Sequence, residues 1–540
     1  MKKSVIALLI ASLLGSQLAP VVVLAVETKK PANAANPNAI DSNEPPLFAP
    51  QQIILPDMGD ATTSSMTSID EKRLGERIMR EIRKDPDYSR DWVLYDYFNQ
   101  IGKELVSAAK RNRITGSDTS GPLGPKFEFF AVRDRTINAF ALPGGYIGVH
   151  TGLLVTADSE SELASVLGHE IGHVTQKHIA RSSGQGGSSA LIILASMLLA
   201  GLAIRNNSGA AQGLAVGGQA LAIQNQLSYS REAEREADRV GLQILSGSGF
   251  DVTGMITFFQ KLQRANSIMD AGVPAYVRTH PLTIERISDL QDRVRLMPQK
   301  KISPSLEFYL MQARAKLEQQ GRYSELLETR QFFENLTQST NPAKQMEGFY
   351  GLSILALKEN KLDEAESMLK KSRDLASHAN GGSPIVRTGL AFEITNSQIA
   401  LQRKRYDQAL SSAQLAIKLY PGSKAAGMSM VEAMFAAGKV NEAVSWLKQR
   451  VRITREDADL WDLLARGYGL QNKLAAHHAA LAEKFAIEGA LPGAIEQLRI
   501  AKKEGGNDFY QLSEIEARMR TFEAMYREEQ KEGGKGESGR

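Results

Sequence analysis

The 540-residue sequence contains no cysteine. This absence excludes disulfide bonds, thiolate metal ligands, a cysteine nucleophile and a lipid anchor attached through a cysteine. The fold must therefore be stabilised by burial of apolar side chains and by polar contacts, without a covalent crosslink. Because the chain is 42% hydrophobic, it can fill more than one core, and two domains are expected.

A strong net charge is also lacking. The 65 Lys and Arg residues are nearly balanced by 61 Asp and Glu residues, which leaves a formal net charge of +4. The basic residues are interspersed with acidic ones, and no basic patch carries the aromatic side chains that stack on bases. The sequence therefore indicates no binding of nucleic acid.

A central apolar stretch is too short to cross a bilayer. The segment from Ala190 to Ile204 would rise only about 22 Å as a helix, against about 30 Å for a bilayer core. Gly, Ser and Asn residues flank it, so residues 190–222 are predicted to form a mobile flap that contacts a membrane surface or a substrate. A buried helix is the alternative.

The N-terminus has the pattern of a secretory signal peptide. Lys2 and Lys3 precede an apolar run, and Val23-Leu24-Ala25 forms a small-residue cleavage site, which predicts removal of residues 1–25. The mature protein is then expected outside the cytoplasm, in the periplasm; an uncleaved anchor is the alternative. Residues 26–60 are rich in Pro, Asn and Ala and are predicted to be a flexible lead-in.

The most informative stretch is His169-Glu170-Ile171-Gly172-His173. In an α-helix, residues four apart are offset by about 40° and about 6 Å, so both histidines project from one face and can bind one metal ion. Glu170 would flank that ion, where its carboxylate can act as general base toward a water molecule. A chance match on an ordinary helix is the alternative, but Ser159 and Glu162 give this helix a capping box ahead of the ligands. This is the HExxH arrangement of zinc peptidases.

A catalytic zinc ion has three protein ligands and an open position, so a further ligand is needed. The segment from Ser230 to Asp238 offers four acids on a predicted helix. Glu232 and Glu236 share a polar stripe that should face solvent, whereas Glu234 and Asp238 share a stripe that continues to Gly241 and Leu245 and should turn inward. Glu234 is therefore predicted to be the third ligand, and Asp238 to orient a ligand histidine.

Two β-strands before the HExxH helix form a predicted hairpin. Thr136 to Leu142 and Tyr146 to Val149 flank a Pro-Gly-Gly turn. A peptidase holds its substrate as an extended strand, and a free strand edge supplies main-chain hydrogen bonds. Asn138 and Ala139 are the candidates for that edge; the alternative is a hairpin that serves only the core.

His280, in His280-Pro281, and Arg286 follow a further predicted helix, and either side chain could stabilise the tetrahedral oxyanion. His280 could instead occupy the open zinc position and keep the enzyme latent, or be purely structural. His178 is predicted to point away from the ligands, about 160° around the helix, and to pack in the core.

These motifs together resemble the HtpX and CAAX prenyl endopeptidase family of gluzincin metallopeptidases. The resemblance rests on His169-Glu170-x-x-His173, the segment Asn138 to Gly145, Glu234-x-x-Ala237-Asp238 and His280-Pro281 with Arg286. It implies one zinc ion per chain held by His169, His173 and Glu234, with Glu170 as base and Asn138 and Ala139 at the substrate edge. For a secreted form with a helical-repeat tail, it implies protein partners: outer-membrane β-barrel proteins and their assembly machinery.

The C-terminal half has the period of tetratricopeptide repeats. Arg405 to Ala409 and Lys439 to Ala443 are equivalent units 34 residues apart, which is the length of one such repeat. Such arrays stack helix pairs into a solenoid whose concave face binds proteins. A generic helical domain is the alternative.

The sequence thus predicts a mainly α protein with a small β-sheet. Its HExxH zinc metallopeptidase domain (61–296) is joined by a linker (297–304) to an α-solenoid of tetratricopeptide-like repeats (305–527), with a disordered tail (528–540). The expected function is proteolysis of misassembled or unfolded proteins. The competing hypothesis is a chaperone-like interaction protein whose zinc site is regulatory or latent.

Overall fold

A computed structural model describes most of the chain beyond the N-terminal region. The described residues are 67–117, 124–183, 230–267, 275–298, 300, 302–319, 323–379, 389–505 and 509–537. The expected signal peptide, lead-in and membrane flap lie outside these residues. Within the described part, no helix is long and apolar enough to span a membrane.

Helices dominate the first half of the described chain, and three strands interrupt them. The elements are α1 (Ser68–Ile82), α2 (Trp92–Arg111), β1 (Glu128–Val132), β2 (Ala139–Leu142), β3 (Tyr146–His150), α3 (Thr151–Thr156), α4 (Glu160–Thr175), α5 (His178–Ser183), α6 (Arg231–Ser248), α7 (Thr253–Ser267), α8 (Ala275–Thr279) and α9 (Ile284–Arg295).

The helices that carry the predicted ligands begin at side-chain caps. The Ser159 hydroxyl accepts the Glu162 N–H and starts α4, and the Ser230 hydroxyl accepts the Ala233 N–H and starts α6. These caps satisfy backbone donors that have no partner within the helix. Gly249 adopts φ +90° and ends α6, a conformation that glycine allows at little cost. Both helices thus have a capped N-terminus, and α6 also has a defined C-terminus.

The sheet has three strands in the order β1-β3-β2. The predicted hairpin of β2 and β3 is antiparallel, and Ala139 pairs with Val149. On the other side of β3, β1 runs parallel, with Phe129 paired to Ile147. Strand β2 therefore lies at an edge of the sheet, and α4 packs beside it.

The second half consists of helix pairs. They are α10 (Leu306–Glu318), α11 (Tyr323–Thr337), α12 (Pro342–Lys358), α13 (Leu362–Ala379), α14 (Gly389–Gln402), α15 (Tyr406–Leu419), α16 (Lys424–Ala436), α17 (Val440–Ile453), α18 (Ala458–Leu470), α19 (Leu474–Ile487), α20 (Leu491–Glu504) and α21 (Phe509–Glu537). Helices α15, α17 and α19 begin at Tyr406, Val440 and Leu474, so the 34-residue period holds through three units.

The two halves share a core. One continuous cluster of buried apolar residues extends from Val93 through Phe308 and Phe333 to Ala426. Helix α10 packs on α3, and the Gln312 side chain donates to the carbonyl oxygens of Leu154 and Ala157. The sequence pattern does not predict this shared core, because the apolar faces that pack together are about 150 residues apart in the chain.

The C-terminal tail differs from the prediction. Disorder was expected from Glu528 onward, whereas α21 continues to Glu537. The first residues of this stretch are Glu, Gln and Lys, which have high helix propensity and extend an existing helix without new nucleation.

Candidate metal centre

The HExxH residues lie on α4 with their side chains in the interior. His169, Glu170 and His173 are each 0% exposed. The Nε2 atoms of His169 and His173 are 3.0 Å apart, as the four-residue spacing requires. Two imidazoles thus present their Nε2 atoms to one point.

Small residues let α6 approach α4 closely enough to complete the site. A Cβ atom on Gly241 would lie 2.9 Å from the His169 backbone nitrogen, and one on Gly172 would lie 3.0 Å from the Ala237 carbonyl oxygen. Larger side chains at these positions would force the two helices apart. The seam between α4 and α6 therefore fixes how far Glu234 can reach toward the histidines.

The Glu234 carboxylate reaches both imidazoles. Its Oε1 lies 3.4 Å from His173 Nε2, and its Oε2 lies 3.6 Å from His169 Nε2. Glu234 is 1% exposed, as expected for the inward stripe, whereas Glu232 is exposed. Two segments that are about 60 residues apart in the chain thus meet at one point.

Asp238 and Arg286 contact His169 and Glu234, respectively. Asp238 Oδ1 lies 3.0 Å from His169 Nδ1, on the side of the ring away from Glu234. The Arg286 guanidinium donates to both Asp238 oxygens at 2.7 Å, and its third nitrogen lies 2.6 Å from Glu234 Oε2. Arg286 thus binds two carboxylates of α6, and these contacts suit a residue that positions ligands.

His280 is the fourth member of the cluster. Its Nδ1 lies 3.0 Å from Glu234 Oε1, and its Nε2 lies 3.5 Å from Glu170 Oε1. The Tyr276 ring stacks on the His280 ring, with centroids 4.5 Å apart. One donor atom from each of His169, His173, Glu234 and His280 lies within 4.8 Å of the others.

Burial and neighbouring charges act in opposite directions on the titratable groups of this cluster. Burial raises the pKa of Glu170 and lowers that of His173 well below its usual range. Burial alone would raise the pKa of Glu234, but contacts with His280 and His173 outweigh it and hold the pKa well below normal. For His280, burial acts to lower the pKa, yet the Glu234 and Glu170 carboxylates raise it overall. The pocket therefore favours positive charge between its carboxylates.

The position of His178 differs from the prediction of a simple core residue. Its Nδ1 lies 2.9 Å from His173 Nδ1, and its Nε2 lies 2.9 Å from Glu236 Oε2. The predicted direction assumed a continuous helix, but α4 ends at Thr175 and Lys177 adopts φ +52°. This turn brings His178 back against His173.

Glu236 also differs from its predicted solvent-facing role. Its carboxylate accepts hydrogen bonds from His178 and from Arg181, both at 2.9 Å. Both partners lie on α5, so the pattern of residues along α6 alone does not indicate them.

Strand β2 has an edge with no neighbouring strand in the described structure. The His150 N–H donates to the Asn138 carbonyl oxygen on the β3 side. Because backbone polar groups alternate along a strand, those of Ala139 and Ala141 face the other side, toward α4. On that side, the Ile137 carbonyl oxygen accepts the Tyr276 N–H at 3.2 Å. The edge where Asn138 and Ala139 were predicted to bind substrate thus adjoins the metal cluster.

Comparisons with known proteins identify both halves. Peptidase family M48 matches residues 107–294, and a tetratricopeptide repeat model matches residues 400–467. The beta-barrel assembly-enhancing protease of Escherichia coli (strain K12) is 30% identical over 482 residues, which cover 88% of this chain and 92% of that protein. The protease of that name from Yersinia pestis is 29% identical over 452 residues, covering 83% and 87%. The mitochondrial metalloendopeptidase OMA1 of Arabidopsis thaliana is 30% identical over 226 residues, covering 42% and 43%.

The fold and the cluster define a metalloendopeptidase of the HExxH type followed by a tetratricopeptide-repeat array. The chain belongs to peptidase family M48, and over most of its length it is similar to the beta-barrel assembly-enhancing proteases. The family resemblance and the mainly α fold with a small sheet, both predicted from the sequence, are thereby confirmed.

Proposed function

We propose that this metalloendopeptidase binds one zinc ion through His169, His173 and Glu234 and cleaves unfolded or misassembled outer-membrane proteins in the periplasm. The observation that carries the proposal is the buried donor set, whose ligand atoms lie within 4.8 Å of one another. The client class is supported by the name of the similar proteins, beta-barrel assembly-enhancing protease. The periplasmic location is supported by the signal-peptide pattern of residues 1–25.

The donor chemistry fits zinc. Two imidazoles and a carboxylate are its usual ligands in a catalytic site. The Asp238 carboxylate can accept the Nδ1–H of His169 at 3.0 Å, which leaves Nε2 of that ring free of a proton for the metal. When bound, zinc would polarise a peptide carbonyl and lower the pKa of water.

Glu170 is the proposed base. Its carboxylate would take a proton from the attacking water and pass it to the leaving amine. Burial raises the pKa of Glu170, which brings the carboxyl group closer to the operating pH of such a proton carrier. The substrate would lie as an extra strand along the edge predicted at Asn138 and Ala139, where the Ala139 backbone groups face away from β3.

His280 has two candidate roles, and its contacts favour latency. Its ring lies against Glu234 and Glu170, in the region that a substrate carbonyl must enter. The Tyr276 N–H also donates a hydrogen bond to the Ile137 carbonyl oxygen, just before β2 and on the side of its unpaired edge. We therefore propose that α8 and His280 block the site in this state, and that Arg286 positions Glu234 and Asp238.

His280→Ala separates the two roles. If His280 keeps the enzyme latent, cleavage of a short unstructured peptide should rise several-fold. If His280 stabilises the oxyanion, the rate should fall instead. His378→Ala, at an exposed position in α13, is the control and should match the parent.

The repeat array is proposed to recruit clients or assembly machinery. A cavity of about 710 Å³ lies between the peptidase domain and the array. Trp92 and Arg133 line it from the peptidase side, and Ile354, Met428 and Arg466 line it from the array. Its mixture of apolar and charged side chains suits a segment of unfolded polypeptide.

Glu170→Gln tests the proposed function as a whole. Loss of the base should lower the cleavage rate of an unfolded porin by about 10²–10⁴-fold, while metal content stays at one zinc ion per chain. The matched control is Glu232→Gln on the exposed face of α6. If Glu170→Gln does everything that the parent does in cells, the chaperone-like alternative is correct.

A further inference from the structure

We infer that His178 and Glu236 are positioning residues that fix the orientation and proton placement of the ligand His173. The inference deepens the proposed metal site and rests on it. Neither residue belongs to the set of donor atoms that face the metal position. They act on the opposite side of the His173 ring.

The geometry forms a chain of four side chains behind the metal position. His173 Nδ1 and His178 Nδ1 are 2.9 Å apart, and His178 Nε2 is 2.9 Å from Glu236 Oε2. Arg181 holds the same carboxylate at 2.9 Å. His178 is 3% exposed, so its ring nitrogens are shielded from bulk water.

Proton placement along this chain follows from the distances. Two ring nitrogens 2.9 Å apart form a hydrogen bond only when one carries a proton and the other does not. His173 Nε2 faces His169 and Glu234, so it must be unprotonated to bind a metal, and the proton belongs on Nδ1. His178 Nδ1 is then the acceptor, and its own proton lies on Nε2, where Glu236 accepts it.

The two ligand histidines are therefore held by different means. His169 Nδ1 meets the Asp238 carboxylate directly, whereas His173 reaches the Glu236 carboxylate through the neutral ring of His178. Glu236 lies two residues from Glu234 on α6, so the same helix supplies the proposed metal ligand and the carboxylate that accepts from His178. His178 thus joins α4, α5 and α6 at the back of the site.

The test is zinc affinity, measured by competition with a chromophoric chelator, together with the visible spectrum of the Co²⁺-substituted protein. His178→Phe removes the acceptor for the His173 Nδ1–H and should weaken zinc binding by about 10–100-fold. It should also shift the Co²⁺ d–d bands, because the ligand ring is free to rotate. His178→Gln offers an amide oxygen to the same N–H and should recover much of the affinity.

Glu236→Leu provides an independent arm, with Glu232→Leu as its exposed control on the same helix. Glu236→Leu should weaken zinc binding, and Glu232→Leu should not. The inference fails if the folded His178→Phe protein binds zinc as tightly as the parent with an unchanged Co²⁺ spectrum. If His178→Phe does not fold, equal affinity of the two Glu→Leu variants overturns it. Absence of zinc binding by the parent would instead refute the proposed function.

Discussion

The peptidase site and the repeat array differ in the kind of side chain that they bury between their helices. Between α4, α6 and α9 the interior holds charged and polar side chains that are at most 3% exposed: His169, Glu170, His173, Glu234, Asp238, His280 and Arg286. Between α17 and α19 the buried positions are apolar, as at Ala443, Leu447 and Ala465. Burying charge is costly unless each group has a partner, so a buried charged cluster indicates a catalytic or metal-binding site. The apolar packing of the array instead fixes the arrangement of its helices.

The difference predicts how each region responds to substitution. In the peptidase site, loss of one side chain leaves a buried charge or an incomplete ligand set, so the effect should appear in metal binding. In the array, several charged pairs are surface contacts, such as that of Arg466 and Glu432, which are 47% and 41% exposed. Effects there should be small and limited to stability.

Glu234→Ala should break the peptidase side of the comparison most completely. It removes the one carboxylate that reaches both ligand imidazoles and leaves the Arg286 guanidinium with a single carboxylate partner. Because orienting groups alone change metal affinity by about 10–100-fold, loss of a ligand should cost more than that. Peptide cleavage should fall to background, as measured together with the zinc content of the purified protein.

The control for this change lies two residues away. Glu232→Ala alters an exposed acid on the same helix and should leave zinc content and cleavage unchanged. A Glu234→Ala protein that still retains one tightly bound zinc ion would show that another group supplies the third ligand.

Much of the site was predictable because its determinants are local. The spacing of His169 and His173 depends only on helix geometry, and the inward stripe of Glu234 and Asp238 follows from the apolar residues on the same face. Residues placed by tertiary packing were not predictable. The direction of His178 depends on the turn at Lys177, where a lysine adopts a positive φ without any sequence signal.

The repeat array was predictable for a different reason. Its 34-residue period is visible in the sequence between the units at Arg405 and Lys439, and α15, α17 and α19 follow it. The shared core between Val93 and Ala426 has no such repetition. It results from apolar helix faces that belong to different domains. The hydrophobic periodicity of a helix predicts which face is buried, but it does not predict which other helix packs against that face.

Gly241→Ala tests whether close packing of α4 and α6 is needed for the geometry of the peptidase site. The new Cβ would lie 2.9 Å from the His169 backbone nitrogen, so α4 and α6 must separate. Overpacking of this kind costs about 1–3 kcal/mol, which exceeds the gain in helix propensity of about 1 kcal/mol. We expect a lower thermal midpoint and weaker zinc binding, measured by calorimetry and chelator competition.

Two further variants grade the effect of the Gly241 change. A Cβ on Gly168 would lie 3.3 Å from the Gly241 carbonyl oxygen, so Gly168→Ala should perturb the seam less. Ser246→Ala, on the exposed face of α6, should leave zinc affinity unchanged. Equal zinc affinity for Gly241→Ala and the parent would mean that the helix seam does not set the ligand geometry.

Lys424→Met should have the smallest effect, because it acts where the two regions meet. Lys424 Nζ lies 3.8 Å from the Trp92 ring centroid and pairs with Asp457 and Asp459 at 3.0 and 2.8 Å. Beside it, the Asp96 carboxylate of α2 accepts the backbone N–H groups of Lys424 and Ala425. Thus a peptidase-domain side chain caps a helix of the array, and the methionine leaves this cap intact.

The expected loss from Lys424→Met is about 1–2 kcal/mol of stability, the range of a partly desolvated cation–π contact. It should appear as a lower thermal midpoint and as faster limited proteolysis at the junction near α16. Cleavage of a short peptide should not change, since the proposed zinc site lies in the peptidase domain and Lys424 belongs to the repeat array. Lys439→Met is the matched control, because Lys439 is exposed and directly precedes α17. A Lys424→Met protein that loses peptide cleavage while keeping its thermal midpoint would mean that the array controls the chemistry of the site directly.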